Sequence, residues 1–299
     1  LKVGVPLIKE SFGDRILKLV FTVILAVFAL YCLIPFVTVI SNSVTTEKSI
    51  QMHGFGLFPH EWTTVAYELI FSDSTIFRSY GVTIFVTLVG TALAMLVTCA
   101  LAYPLSLKSL KYRNGINFFI YFTMLFNGGL VASYLLIAKY LGMKDTIWVL
   151  IIPALLNPWN MFLLRNFFKS IDESLAESAK IDGADDIYIM FRIILPISLP
   201  ALSTIGLFYA IAFWNKWFEA LLYISDERLY PLQYLIQRIM SNLQFAKQLQ
   251  MKGVLMDIDT PTLTVNLATT VVTIGPIILL YPFLQKYFVK GLMVGAVKG

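Results

Sequence analysis

Residues 177–196 read "ESAKIDGADDIYIMFRIILP" and crowd Glu177, Lys180, Asp182, Asp185, Asp186 and Arg192 into one stretch. The chain around them is oily. Of its 299 residues 58% are hydrophobic and 14% are charged, and the mean hydropathy is +0.76. A soluble domain carries about a quarter charged residues. Several apolar runs here exceed the ~20 residues that a helix needs to cross the hydrocarbon core. The runs are continuous rather than alternating, which argues against a β-barrel. The expected fold class is an all-α integral membrane protein, with the charged island between two of its spans.

Working outward from the island, six transmembrane helices are predicted, at 16–41, 79–106, 115–138, 146–168, 196–224 and 263–288. Basic residues collect in alternate segments: Lys2, Lys9 and Arg15; Lys108, Lys111 and Arg113; Lys169, Lys180 and Arg192; Lys290 and Lys298. The positive-inside rule then places both termini and the island in the cytoplasm of a multi-pass cell-membrane protein. The expected organisation is a cytoplasmic segment 1–15, a transmembrane domain 16–288 with outward loops 42–78 and 225–262, and a cytoplasmic tail 289–299. The loop 225–262 fits the rule least well, because it holds Arg228, Lys247 and Lys252. The first apolar run is too long for the core of a signal peptide, so it is read as a retained span.

The net charge of +5 forms no basic stripe and gives no reason to expect nucleic acid. Cys32 and Cys99 both fall inside apolar runs and are read as small buried hydrophobes. With only His53 and His60 besides, no metal-ligand spacing occurs.

Within the island, Asp172 is placed to cap a helix that puts Leu175, Ala176 and Ala179 on one face. Glu173 and Glu177 lie in its first turns, where the helix dipole favours acid. Gly183 supplies a turn, and a second helix carries Ile187, Met190, Phe191 and Ile194 at i, i+3, i+4 and i+7. Pro196 and Pro200 predict a kink at the entry to the fifth span. A helix meant for anionic lipid would be basic on its polar face. This one is acidic, and it suits a groove on a partner protein.

The spacing Glu177-Ser178-Ala179, Gly183, Ile193-x-Leu195-Pro196 resembles the EAA loop, EAA-x3-G-x9-I-x-LP, of permease subunits of binding-protein-dependent ABC importers. Ser178 stands where that pattern has its first alanine. The tail "KYFVKGLMVGAVKG" (286–299) is similar to that of maltose-type permeases. "MLFNGGLVASYLLI" (124–137) looks like the lipoprotein-like subgroup used for complex oligosaccharides. The resemblance implies a coupling loop at 170–195 that sits in a cleft of an ATPase subunit. Glu177 would meet a basic residue there, Gly183 would permit the turn, and Ala179, Ile187 and Phe191 would fill the groove ahead of Leu195 and Pro196. It also implies a second homologous permease, two ATPase subunits and an extracytoplasmic solute-binding protein, which the loop 225–262 would reach.

No phosphate loop G-x4-GK[ST] and no nucleophile–base arrangement occur in the sequence. No catalytic centre is therefore expected in this chain, and ATP and Mg belong to the partner ATPase. Polar side chains inside a membrane usually face the bundle interior or a water-filled cavity. For the substrate pathway they single out Asn127, Asn157, Asn160, Asn215 and Thr273, with Trp159, Tyr209 and Trp214 as aromatic faces for sugar. The same residues also suit helix–helix contacts or the interfacial belt. Lys216 and Glu219 read as a snorkelling local pair. A stand-alone ion-coupled transporter is the alternative function. It calls for an ionisable group at mid-depth, which none of the six predicted spans offers.

Overall fold

The computed structural model describes residues 12–72, 74–251 and 263–274. Among the described residues the structure is helical apart from an isolated antiparallel bridge between Thr45 and Trp62. These residues fall into two compact units, 12–70 with 263–272 and 71–251 with 273–274.

The first unit begins with α1 (Phe12–Ser43), an apolar helix exposed all along residues 12–37. Cys32 lies on this bare stretch, so it is exposed, whereas Cys99 is buried. Burial starts at the polar end, Ser41, Asn42 and Ser43. The Asn42 amide donates to the Thr38 and Gly56 carbonyls at 2.6 and 2.8 Å and accepts from Gly56 N–H at 3.2 Å. These bonds fold the following loop back onto the helix. Two short helices follow, α2 (Glu47–His53) and α3 (Val65–Phe71). Glu47 accepts the Leu263 N–H at 2.9 Å, at the start of the helix Leu263–Ile274. A carboxylate there satisfies an otherwise orphan donor and complements the helix dipole.

The second unit is built on α4 (Ser74–Ser106), continuous and strongly apolar. After it come α5 (Arg113–Leu125) and α6 (Gly129–Tyr134), the latter prolonged by a π turn Leu135–Tyr140. The expected single span 115–138 is therefore two helices, bent by 115°. Phe126 is extended, Gly129 takes φ +77°, and Asn127 Oδ1 accepts the Gly129 N–H at 3.0 Å, so the backbone turns between them.

The fourth span is also broken. Two 3-10 turns (Ile147–Leu150 and Ile152–Ala154) meet α7 (Pro158–Lys169) at 46°. The break falls at "NPWN" (157–160), because Asn157 is extended and caps α7 through its own side chain.

The island forms α8 (Glu173–Ile181), α9 (Asp186–Ile189), a π turn Met190–Ile194 and α10 (Leu195–Ile197). At Ser198 the chain bends by 84° into α11 (Leu199–Trp214). The expected span 196–224 is not continuous at its far end either. Residues 215–217 separate α11 from α12 (Phe218–Tyr223). The loop 225–262, read from sequence as a long connection, contains the 20-residue helix α13 (Leu232–Met251). Its first N–H, on Leu232, donates to Thr83 Oγ1 at 2.8 Å. Asp145 ties the same end together: at φ 56°, a backbone region that Asp tolerates better than most residues, its carboxylate accepts the Ser225 and Asp226 N–H groups.

Two described helices are long and apolar enough to span a membrane, and up to five are when each bent pair counts as one. Of the predicted sixth span, only 263–274 lies within the described residues; 275–288 and the tail lie outside them. In the second unit, α7 and α11 pack on α4 around buried Val86, Leu150, Ile151, Met161, Leu164 and Phe213.

Candidate functional site

The island's local chemistry matches its sequence. Asp172 Oδ1 accepts the Ser174 N–H at 3.0 Å and starts α8, and Asp185 Oδ1 accepts the Tyr188 N–H at 2.7 Å and starts α9. Between them Gly183 takes φ +86°. Ala184 N–H reaches the Ala179 carbonyl at 2.9 Å and Gly183 N–H the Lys180 carbonyl at 3.0 Å, the pair of bonds that ends a helix on a left-handed residue. Lys180 and Asp186 close the turn at 2.8 Å. That hydrogen bond, with the neighbouring charge, raises the Lys180 ammonium above its usual range. Lys108 and Glu173 meet at 3.0 Å, both well exposed, where such a pair contributes little to stability.

The apolar stripe of the second arm is divided. In the π turn the Leu195 N–H bonds five residues back, to the Met190 carbonyl, which shifts the register by one residue. Met190 and Ile194 are consequently buried with Ile189, whereas Ile187 and Phe191 are 69% and 58% exposed. The expected face Ile187-Met190-Phe191-Ile194 is thus two faces, one anchoring the arm and one open. Glu177, Gly183 and Pro196 are exposed and Leu195 is half-buried. Ala179 and Gly183 share a groove of about 590 Å³ with Asp185 and Tyr188.

A second concavity, of about 510 Å³, lies between the start of α7 and the end of α11. It brings together four of the residues predicted for the substrate pathway: Asn157, Asn160, Tyr209 and Asn215. Tyr209 is 2% exposed, and its hydroxyl lies 2.7 Å from Thr98 Oγ1 and accepts the Asn157 N–H at 3.0 Å. This side chain pins the broken fourth span to α4 and α11. Asn215 is engaged as well, with its Nδ2 on the Ile211 carbonyl at 2.9 Å and its Oδ1 accepting from Gln233 Nε2 at 3.3 Å.

The other four are not on this wall. Asn127 is exposed and holds the bend before α6, Trp159 is 61% exposed, and Trp214 and Thr273 are buried in packing. The local pair of Lys216 with Glu219 is present as the sequence suggests, but the lysine is not at the surface. It is 7% exposed, lines the cavity, and meets Glu219 at 3.0 Å. A snorkelling lysine would reach water, and this one does not. The signal was present in "NKW", a charge and an amide interrupting an apolar run.

The family profile described as "Binding-protein-dependent transport system inner membrane component" matches residues 3–294. The chain is 41% identical over 286 residues to the polygalacturonan/rhamnogalacturonan transport system permease protein YtcP of Bacillus subtilis (strain 168), covering 96% of this chain and 99% of that protein. It is 42% identical over 269 residues to protein LplC of the same organism, covering 89% and 90%. Among solved structures, it resembles a chain of a bacterial ABC transporter involved in the import of the acidic polysaccharide alginate. The TM-score is 0.78 and the identity 33%, with coverage of 93% of this chain and 99% of that one.

Proposed function

Because the chain belongs to the family of binding-protein-dependent transport system inner membrane components, we propose that it is one of two permease subunits of an ATP-driven importer of sugars or oligosaccharides. Its full complement is a second homologous permease, two ATPase subunits that hold the ATP and Mg, and an extracytoplasmic solute-binding protein. It has six transmembrane helices and cytoplasmic termini: the broken segments 113–140 and 147–169 each count as one crossing, and the fifth crossing begins with α11, beyond the surface arm. ATP hydrolysis belongs to the partner, because the sequence holds no phosphate loop.

The observation that carries this reading is the capped helix–turn–helix 173–197, with its exposed Glu177, Ile187 and Phe191. An apolar face of a surface helix that is exposed in the isolated chain is suited to a groove on another protein. In this role Glu177 meets a basic residue of the ATPase, Ile187 and Phe191 enter its cleft, and Ala179 and Gly183 form the floor of the turn. Leu195 and Pro196 join the arm to the transmembrane region. The arm's buried side, Ile189, Met190 and Ile194, makes it move as one piece with the helices that bear the cavity. Asn157 and Asn160 offer amides to substrate there, and Tyr209 and Asn215 hold the wall in shape.

Affinity purification of the tagged chain from its native membrane tests the assembly. A second permease and an ATPase pair should co-purify; recovery of the chain alone would remove the coupling argument. Reversal of charge at Glu177 (Glu177→Lys) should then lower ATP-driven sugar uptake while leaving sugar binding by the solute-binding protein unchanged. Normal uptake in that variant would contradict the role given to this residue.

A further inference from the structure

Lys216 is a buried cation without a structural need for its full bonding capacity. Removing an ammonium from water costs several kcal/mol unless it is paired and hydrogen-bonded. An ammonium has three donors, and among the described residues Lys216 Nζ makes one hydrogen bond, to Glu219 Oε1 at 3.0 Å. It also stands 5.6 Å from the centroid of the Phe213 ring, a favourable position for a cation. Its partner is held less firmly. The Glu219 side chain is 40% exposed against 7% for Lys216, so the carboxylate can leave for water and the ammonium cannot.

The rest of the wall is chemically matched to this cation. Asn157 and Pro158 at the cavity begin α7, so the positive end of a 12-residue helix faces the same space. Asn160 is 6% exposed, and its side-chain amide has no hydrogen-bond partner among the described residues. The amide opens to the cavity, where it can bond a group that enters. The wall therefore presents an ammonium with spare donors, a helix N-terminus and a free amide.

Resting on the import reading, we propose that this cavity is a subsite for a uronate residue of an acidic oligosaccharide. The sugar carboxylate replaces Glu219 on Lys216, and a ring hydroxyl bonds the Asn160 amide. Glu219 is the resident counter-ion, which keeps Lys216 neutralised when no substrate is present and yields to a carboxylate that arrives with its own hydrogen-bonding hydroxyls. Neutral oligosaccharides make no such exchange, so the pair acts as a selective element inside the membrane as well as a local ion pair.

The test uses the complete importer with its binding protein in lipid vesicles, with trigalacturonate as the acidic probe and maltotriose as the neutral one. Wild type should take up trigalacturonate, and Lys216→Gln should reduce that uptake by about tenfold or more, the loss of one charged hydrogen bond. The double variant Lys216→Gln/Glu219→Gln separates substrate binding from structure. A merely structural ion pair is restored when both charges go, whereas a substrate subsite stays lost. Recovery of wild-type uptake in the double variant, or undiminished uptake in Lys216→Gln, overturns the proposal. Should either variant fail to assemble, Glu219→Gln carries the test. Without its competitor, trigalacturonate should half-saturate uptake at a lower concentration; an unchanged or higher value overturns the subsite. A wild-type importer that does not move trigalacturonate overturns the subsite alone, whereas a chain that purifies without an ATPase pair overturns the import reading with it.

Discussion

The ring of Phe213 lies so close to Gly90 that a β-carbon on Gly90 would stand 2.8 Å from Phe213 Cε1. The ring is itself 2% exposed, so a β-carbon at Gly90 would have to push it out of its packed position. This contact sets how closely α11 approaches α4, and Phe213 is also a wall of the cavity. Gly90→Ala should therefore destabilise the chain by about 1–3 kcal/mol through overpacking. Thermal unfolding of the purified complex reads this directly, and Phe213→Leu in the same chain should recover part of the loss. An unchanged melting temperature in Gly90→Ala would show that the helices are free to part.

Tyr209→Phe deletes the oxygen shared by Thr98 Oγ1 and the Asn157 N–H. The expected cost is about 1–3 kcal/mol, since buried polar partners are left unmatched. Thr98→Val acts on the same bond, so the double variant should cost less than the two single variants added together. A double-mutant cycle measured by chemical unfolding decides it: strict additivity means that the hydroxyl does not bridge the two.

At Gly183 the penalty for a side chain is one of backbone conformation, because no atom lies within 4 Å of where its β-carbon would be. A residue with a β-carbon resists φ +86° by about 1–2 kcal/mol, with Asn among the least resistant. Uptake per ATP hydrolysed should fall in the order Gly183, Gly183→Asn, Gly183→Val. Equal coupling in the Asn and Val variants would locate the requirement somewhere other than the turn.

The turn before α13 has a defined pH response. Arg228 hydrogen-bonds the Asp226 carboxylate and holds it below its ordinary value of 3.8. A depressed acid stabilises the folded turn above its unfolded value, and that contribution disappears as the pH falls through the folded one. Hydrogen exchange across 225–230, corrected for the intrinsic rate, should stay slow from neutral pH down to the ordinary Asp range and quicken only below it. Asp226→Asn should be fast throughout; protection equal to wild type in that variant would remove the ion pair from the account.

What the sequence disclosed about this fold depended on range. Asp172, Asp185 and Gly183 act on atoms within a few residues of themselves, and each could be read from its neighbours alone. The breaks at 126–128 and 215–217 could not, because hydropathy averaged over a span does not register a local change of backbone conformation, such as the extended Phe126 and the positive φ of Gly129 at the first of them. The division of Ile187 and Phe191 from Met190 and Ile194 escaped for a related reason. A regular helical repeat assumes every turn is an α turn, and residues 190–194 form a π turn. Lys216 was misread because its burial comes from helices distant in the chain, and local sequence describes only the pairing with Glu219.

The π turn holds one residue more than the α-helical path on either side of it. Converting it to an α turn would rotate the segment beyond it by about 100° and advance it by about 1.5 Å. Past Ser198 the chain runs at 84° to that axis. Across such an elbow, twist of the arm becomes sideways swing of α11, which carries Tyr209 and Phe213. The surplus residue and the elbow together have the form of a crank, with its handle at the charged surface and its throw at the wall of the cavity.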